Sequence, residues 1–220
     1  MKQYSEYRAL ARETLKGRWN EMALLTLVIS AIGVVFGIPS AIGDIMKLQW
    51  LSLCGSSCNL FFELLITVPL SFAFYNLCLV YTRRESLEGS YLAAMFKDFA
   101  AHWSKYVLSG ALTVVLVMLI SIPTLIIGGI ILAYAYNLIP YIIHDHPDMG
   151  VREVLKTSRL MMRGHKWQMF VLQMTFIGWA ILAILSCGIG LLWLVPYEYT
   201  AMAHFYEDVK AEYEAKEATV

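Results

Sequence analysis

The chain has 220 residues, 59% of them hydrophobic and 15% charged, with 17 basic and 17 acidic side chains and zero formal net charge. Soluble domains are about half apolar and about a quarter charged, so this is not an ordinary soluble domain. A balanced charge gives no basic field for nucleic acid, and no zinc-finger spacing, P-loop or dinucleotide fingerprint is present, so neither a nucleic-acid partner nor a cofactor is expected.

Residues 4–16 read as an amphipathic interfacial helix. Tyr7, Leu10, Ala11 and Thr14 share one face, and Glu6, Arg8, Arg12, Glu13 and Lys16 fall off it. The segment is too long and charged for a secretory signal, no small-x-small cleavage site follows the first apolar run, and no lipidation motif is present. Gly17 breaks the pattern, and Trp19 suits the headgroup level. A first span is predicted over 22–42. Within it, Gly33, Gly37 and Ala41 lie four apart, a spacing that lets another helix, in this chain or a second copy, approach closely.

Residues 43–57 read as a loop, and Cys54 and Cys58 lie in LCGSSC between the first two spans. Their spacing fits neither CxxC redox nor zinc chemistry; a local disulfide and free thiols both stay open. Cys78 and Cys187 read as small apolar side chains. A second span is predicted over 60–81, with Asn59, Glu63, Thr67 and Ser71 in a polar stripe. Either the stripe faces other helices with its hydroxyls bonded to their own backbone, or it lines a polar interior in which Glu63 titrates.

A second interfacial helix is expected over 91–103, with Tyr91, Leu92, Met95, Phe96, Phe99 and Trp103 on one face and Asp98, His102 and Lys105 opposite. The apolar run 106–143 is too long for one crossing, and two are predicted, 106–122 and 124–143, turning around Pro123 and Gly128-Gly129. Asn137 and Pro140 interrupt the second. His144, Asp145, His146 and Asp148 crowd the next turn. Zinc sites use such residues, but the one further source of ligands is His204 with Glu207 or Asp208, and no metal is expected.

The third interfacial helix, 150–163, has Val151, Val154, Leu155, Ser158, Met161 and Met162 at helical spacing, with Arg152, Lys156, Arg159 and Arg163 on the other side. With Lys166 these cations are candidate contacts for anionic lipid headgroups, each contributing about 1 kcal/mol near the surface. Spans follow over 167–186 and 188–205, turning near Ser186–Gly190, and a charged helical tail closes the chain. In the last span Glu198 follows Pro196 without a basic partner. With Tyr197, Thr200 and Glu63 it forms the candidate intramembrane polar site. The alternative places Glu198 near the inner boundary, capped by a tyrosine or an arginine.

The chain thus repeats a unit: amphipathic helix, polar turn, tryptophan, hairpin. Lys16-Gly17-Arg18-Trp19 matches Arg163-Gly164-His165-Lys166-Trp167, whereas the middle copy, His102-Trp103, lacks the glycine. With six crossings and a cytoplasmic N-terminus, every lysine and arginine except Lys47 falls on the inside. The expected fold is therefore an all-α membrane protein, with six transmembrane helices in three hairpins, each preceded by an amphipathic interfacial helix, and both termini cytoplasmic.

The segment from Gly188 to Tyr206, containing Trp193, Pro196, Tyr197, Thr200 and Ala203, resembles the closing motif of domain-of-unknown-function family 975, a family of bacterial polytopic membrane proteins. Ser158 to Lys166 and Leu15 to Trp19 resemble its other two signatures. The resemblance covers most of the chain and implies a bacterial inner-membrane location but no activity. The pattern is more distantly similar to membrane domains attached to some glycerophosphodiester phosphodiesterases, whose catalytic domain is absent here. The function expected is a non-enzymatic scaffold or envelope-associated factor contacting anionic lipid headgroups. The alternatives are a small-solute or ion transporter using Glu63 and Glu198, and an interfacial lipid enzyme at the turn around His144.

Overall fold

The computed structural model describes residues 2–85, 90–122 and 127–217, and among these every regular element is a helix. Helix α1 (Tyr4–Thr14) ends at Gly17, whose φ of 84° is a left-handed conformation costly for other residues. The chain then enters α2 (Trp19–Ile45). The loop expected over 43–57 is instead a tight turn at Met46–Leu48. Lys47 takes φ 57°, and the Leu48 N–H donates to the Gly43 carbonyl at 2.8 Å. Helix α3 (Gln49–Phe62) therefore begins early and carries Cys54 and Cys58 as exposed free thiols on a helix. The close approach between α2 and α3 is made at Gly55, where a Cβ would meet the Ser40 nitrogen at 2.5 Å. A Cβ at Gly33 or Gly37 would meet nothing within 4 Å, so among the described residues no helix packs closely on these two glycines.

After α3 the axis continues through a π turn, Glu63–Thr67, into α4 (Val68–Thr82). The cause lies in Pro69. It has no N–H to return to the Leu65 carbonyl four residues earlier. The Trp103 indole N–H donates to that carbonyl instead, at 2.7 Å. Trp103, expected as a headgroup-level marker, thus completes a broken backbone ladder.

The interfacial helix expected over 91–103 and the span over 106–122 are one uninterrupted helix, α5 (Tyr91–Ser121). This is a correction with a local reason: the middle copy of the repeated unit lacks the glycine that ends α1 and, at Gly164 (φ 96°), the third interfacial helix. Of the turn expected around Pro123, residues 123–126 lie outside the described residues. Gly128 and Gly129 belong not to that turn but to α6 (Ile127–Ala135), where a Cβ on Gly129 would collide with the Ser121 side chain. The interruption expected near Asn137 and Pro140 separates α6 from α7 (Ile139–Asp145). The amphipathic α8 (Val151–Met161) follows. Segment 167–186 is two helices, α9 (Lys166–Met174) and α10 (Ile177–Leu185), and the turn at 186–190 leads into α11 (Leu191–Glu217), which absorbs the charged tail into one continuous helix.

The core lies where α1, α4, α7, α8 and α11 meet. Helix α11 is its axis: Thr200, Ala201, Met202, Ala203, Phe205, Tyr206 and Val209 are all buried. A helix covered on every side is a core helix. Tyr199 stacks on Tyr75 at 3.9 Å and Tyr206 on Tyr141 at 4.9 Å. Away from this core the helices are apolar and bare: Val34, Ile45, Phe61, Met118, Ile122 and Leu185 are exposed. Such a surface calls for an apolar surrounding. Five helical stretches are long and apolar enough to cross a bilayer: Trp19–Ile45, Ser52–Thr82, Tyr91–Ser121, Ile127–Asp145 and Lys166–Leu185.

Candidate functional site

Helix α8 has a strongly two-sided sequence, and both sides are used. Its buried face is Val154, Leu155, Ser158 and Met161. Ser158, a hydroxyl in an apolar stripe, has a specific partner. The break between α6 and α7 turns the Ile139 N–H to the Tyr136 carbonyl at 3.2 Å, and the Ser158 hydroxyl donates to Ala135 O at 2.8 Å. The serine docks α8 against the interrupted helix by satisfying a carbonyl at its end.

The opposite side opens a cleft of about 660 Å3, lined by Arg152, Lys156, Arg159, Arg163 and Lys166, with Leu112 and Leu116 of α5 facing them. All five cations singled out in the sequence therefore reach one cleft, and among the described residues no acidic side chain lines it. None of the five has a carboxylate partner among the described residues. Arg163 continues the row four residues after Arg159, and Lys166, beyond the left-handed turn at Gly164, lines the same cleft.

The candidate intramembrane site does not assemble. Glu63 is exposed on the π turn. Tyr75, which stacks on Tyr199 beside Glu198, lies about 18 Å further along the α4 axis at 1.5 Å per residue. Glu198 is half-buried on α11, and it lines none of four surface clefts found among the described residues. Thr200 donates to the Pro196 carbonyl at 2.7 Å, and Tyr197 to the Arg8 carbonyl at 3.2 Å. In the stripe on α4, Ser71 donates to Thr67 O at 2.8 Å, the backbone-bonded alternative.

The residues around His144 are spent on structure. Asp145 is 5% exposed and receives both arms of the Arg83 guanidinium, at 2.6 and 2.8 Å. Tyr206 and Lys210 also donate to it, at 2.8 and 2.7 Å. Arg83 reaches Glu207 as well, at 2.8 Å, so one cation ties α4 to α7 and α11. His144 lies 3.5 Å from Asp98, which also accepts from Tyr106 at 2.8 Å and Asn76 at 3.2 Å. His204 is hydrogen-bonded to Thr14 at 3.0 Å, away from this turn. Among the described residues no group of three His, Cys, Asp or Glu side chains is placed to hold a metal ion. The Asp98 cluster escaped the sequence reading because Asp98 sits on the polar face of its helix; its signal was a carboxylate four residues before His102 and eight before Tyr106.

Within α11, Asp208 accepts from Lys2 and from Tyr7, the latter at 2.8 Å. Burial pushes its carboxyl up, but the bonds from Lys2 and Tyr7 outweigh burial and hold it below the usual carboxylate range.

Bare apolar helices around a polar-tied core define a helical integral membrane protein. The chain belongs to the family of proteins of unknown function designated DUF975, whose model matches residues 1–127 and 104–213. No curated protein and no solved structure matches it.

Proposed function

We propose that this protein is a non-enzymatic membrane scaffold that holds anionic lipid headgroups on the cytoplasmic face of a bacterial plasma membrane. One observation supports this above the others: five cations without carboxylate partners share one cleft whose far wall is apolar. Cations in a soluble protein's surface row meet water; here the row faces Leu112 and Leu116, on the part of α5 that is apolar enough to span. In this reading α11 is a sixth crossing. It escapes a test of length and hydropathy because Glu198, Glu207 and Asp208 fall within its first five turns. Three hairpins then put both termini and all the α8 cations on the inside, as the charge bias favours.

The transporter reading loses support because Glu63 and Glu198 are apart and Glu63 is exposed on the π turn. Native mass spectrometry of the protein extracted in mild detergent tests the proposal. Phosphatidylglycerol should stay bound where phosphatidylcholine does not, and replacing the five cations with glutamine should abolish the difference. Equal retention of both lipids would sink the reading.

A further inference from the structure

The cleft on α8 is longer than one phosphate and holds more charge than one phosphate can match. Arg152, Lys156 and Arg159 follow one helix face at spacings of four and three residues, a run of about 10 Å along the axis. Arg163 extends the row by four residues, and Lys166 lies past the Gly164 turn in the same cleft. A single phosphodiester carries one negative charge and is gripped by one arginine fork or a pair of cations. It would leave most of the row unmatched in a cleft with no acidic lining. Two adjacent phosphates sharing an oxygen would occupy only one end of it. The wall facing the row is apolar, with half-buried Leu112 and Leu116 of α5 one turn apart, and Leu160, 43% exposed, lies beside the cations on α8.

Resting on the reading that this cleft meets lipid headgroups, we propose that it is a site for one lipid whose headgroup carries two phosphodiesters joined by a glycerol bridge. One phosphate sits on Arg152 and Lys156 and the other on Arg159, Arg163 and Lys166, while the acyl chains run along Leu112 and Leu116. Basic pockets beside spanning helices on the cytoplasmic side suit this headgroup class.

Titration of the detergent-solubilised full chain with three probes tests this, read by native mass spectrometry and calorimetry: a bis-phosphatidyl lipid, phosphatidylglycerol with the same acyl chains, and inorganic pyrophosphate. The expected result is one bis-phosphatidyl lipid per chain, bound at least about tenfold tighter than phosphatidylglycerol. The double variant Arg152→Gln, Lys156→Gln should bring that ratio close to one while phosphatidylglycerol binding persists. Both positions are exposed, and an unchanged unfolding transition confirms an intact fold. Equal affinity for the two lipids overturns the two-phosphate site and leaves the headgroup reading standing. Binding of neither lipid overturns both. Pyrophosphate binding as tight as the lipid's shows a site for soluble diphosphates and overturns the lipid assignment.

Discussion

Arg83 is the most consequential single cation in the core. Its guanidinium is the donor to Asp145 Oδ1, at 2.6 Å, and one of three donors to Oδ2, with Tyr206 and Lys210. Arg83→Met deletes the Oδ1 bond and one Oδ2 bond from a carboxylate only 5% exposed. Breaking a buried pair by removing one partner costs about 3–5 kcal/mol. Lys210 still compensates the charge, which puts the expected loss at the low end, about 3 kcal/mol. Glu207→Gln acts on a side chain 35% exposed, where an ion pair is worth about 1 kcal/mol or less. Arg83→Lys keeps the charge but loses the fork and should fall between the two. The double variant Arg83→Met, Asp145→Leu should cost less than the sum of the singles, because it removes the stranded carboxylate along with its partner. Titration with a denaturing detergent, followed by tryptophan fluorescence, measures these four and the single variant Asp145→Leu. If Arg83→Met proves no costlier than Glu207→Gln, or the double variant is additive, Arg83 does not tie the three helices together.

Ser158→Ala leaves the Ala135 carbonyl without its donor and should destabilise the docking of α8 by about 1–3 kcal/mol, seen as faster hydrogen exchange in α8 than in α4. Asp208 has a lowered folded pKa, so its contribution is fully present above the ordinary carboxylate value and is lost as pH falls through the folded one. Exchange protection of α1 should therefore drop on acidification below about pH 4, with an effect of about 1 kcal/mol or less because Lys2 is 45% exposed. Asp208→Asn should flatten that profile, and an unchanged profile would show that another group sets it. In cells, an impermeant thiol reagent should label Lys47→Cys and spare Trp167→Cys in a background stripped of native cysteines; labelling of Trp167→Cys would overturn the arrangement in hairpins.

The glycines explain what was legible in the chain. Lys16-Gly17 and Arg163-Gly164 mark helix ends because a left-handed residue terminates the ladder, and both were visible as motifs. The missing glycine before Trp103 was equally visible, yet the expectation of a break there survived because the amphipathic stripe stops near Trp103. Periodicity reports which face is covered and says nothing of whether the axis continues. The turn at Met46–Leu48 was misjudged for a related reason: the polar residues from Gln49 to Asn59 mimic a loop in composition while helical spacing holds Gly55 against Ser40. The cations of the basic cleft were readable as one helix face, but the leucines opposite them come from α5, far away in sequence. Likewise Glu63 and Glu198 looked alike as acids in apolar runs. Only the packing separates one exposed on a π turn from one half-buried beside the Tyr75–Tyr199 stack.

The cations divide into two populations with opposite thermodynamic consequences. Arg83, Lys210 and Lys2 are held by carboxylates and join helices. Those on α8 face one another: Arg152 with Lys156 at four residues apart, Lys156 with Arg159 at three. Like charges at these spacings destabilise a helix by about 0.2–0.5 kcal/mol per pair. Arg152 also sits in the first turn, at the positive end of the helix dipole, so Arg152→Gln in a neutral detergent should stabilise α8 by about 0.5–1.5 kcal/mol. In anionic lipid the same change removes an attraction of about 1 kcal/mol and should destabilise it. Hydrogen exchange of the α8 amides in both media reads the sign directly. An effect of the same sign in both would mean that the row is merely solvated, because only an anion seated in the cleft can turn mutual repulsion into a net gain.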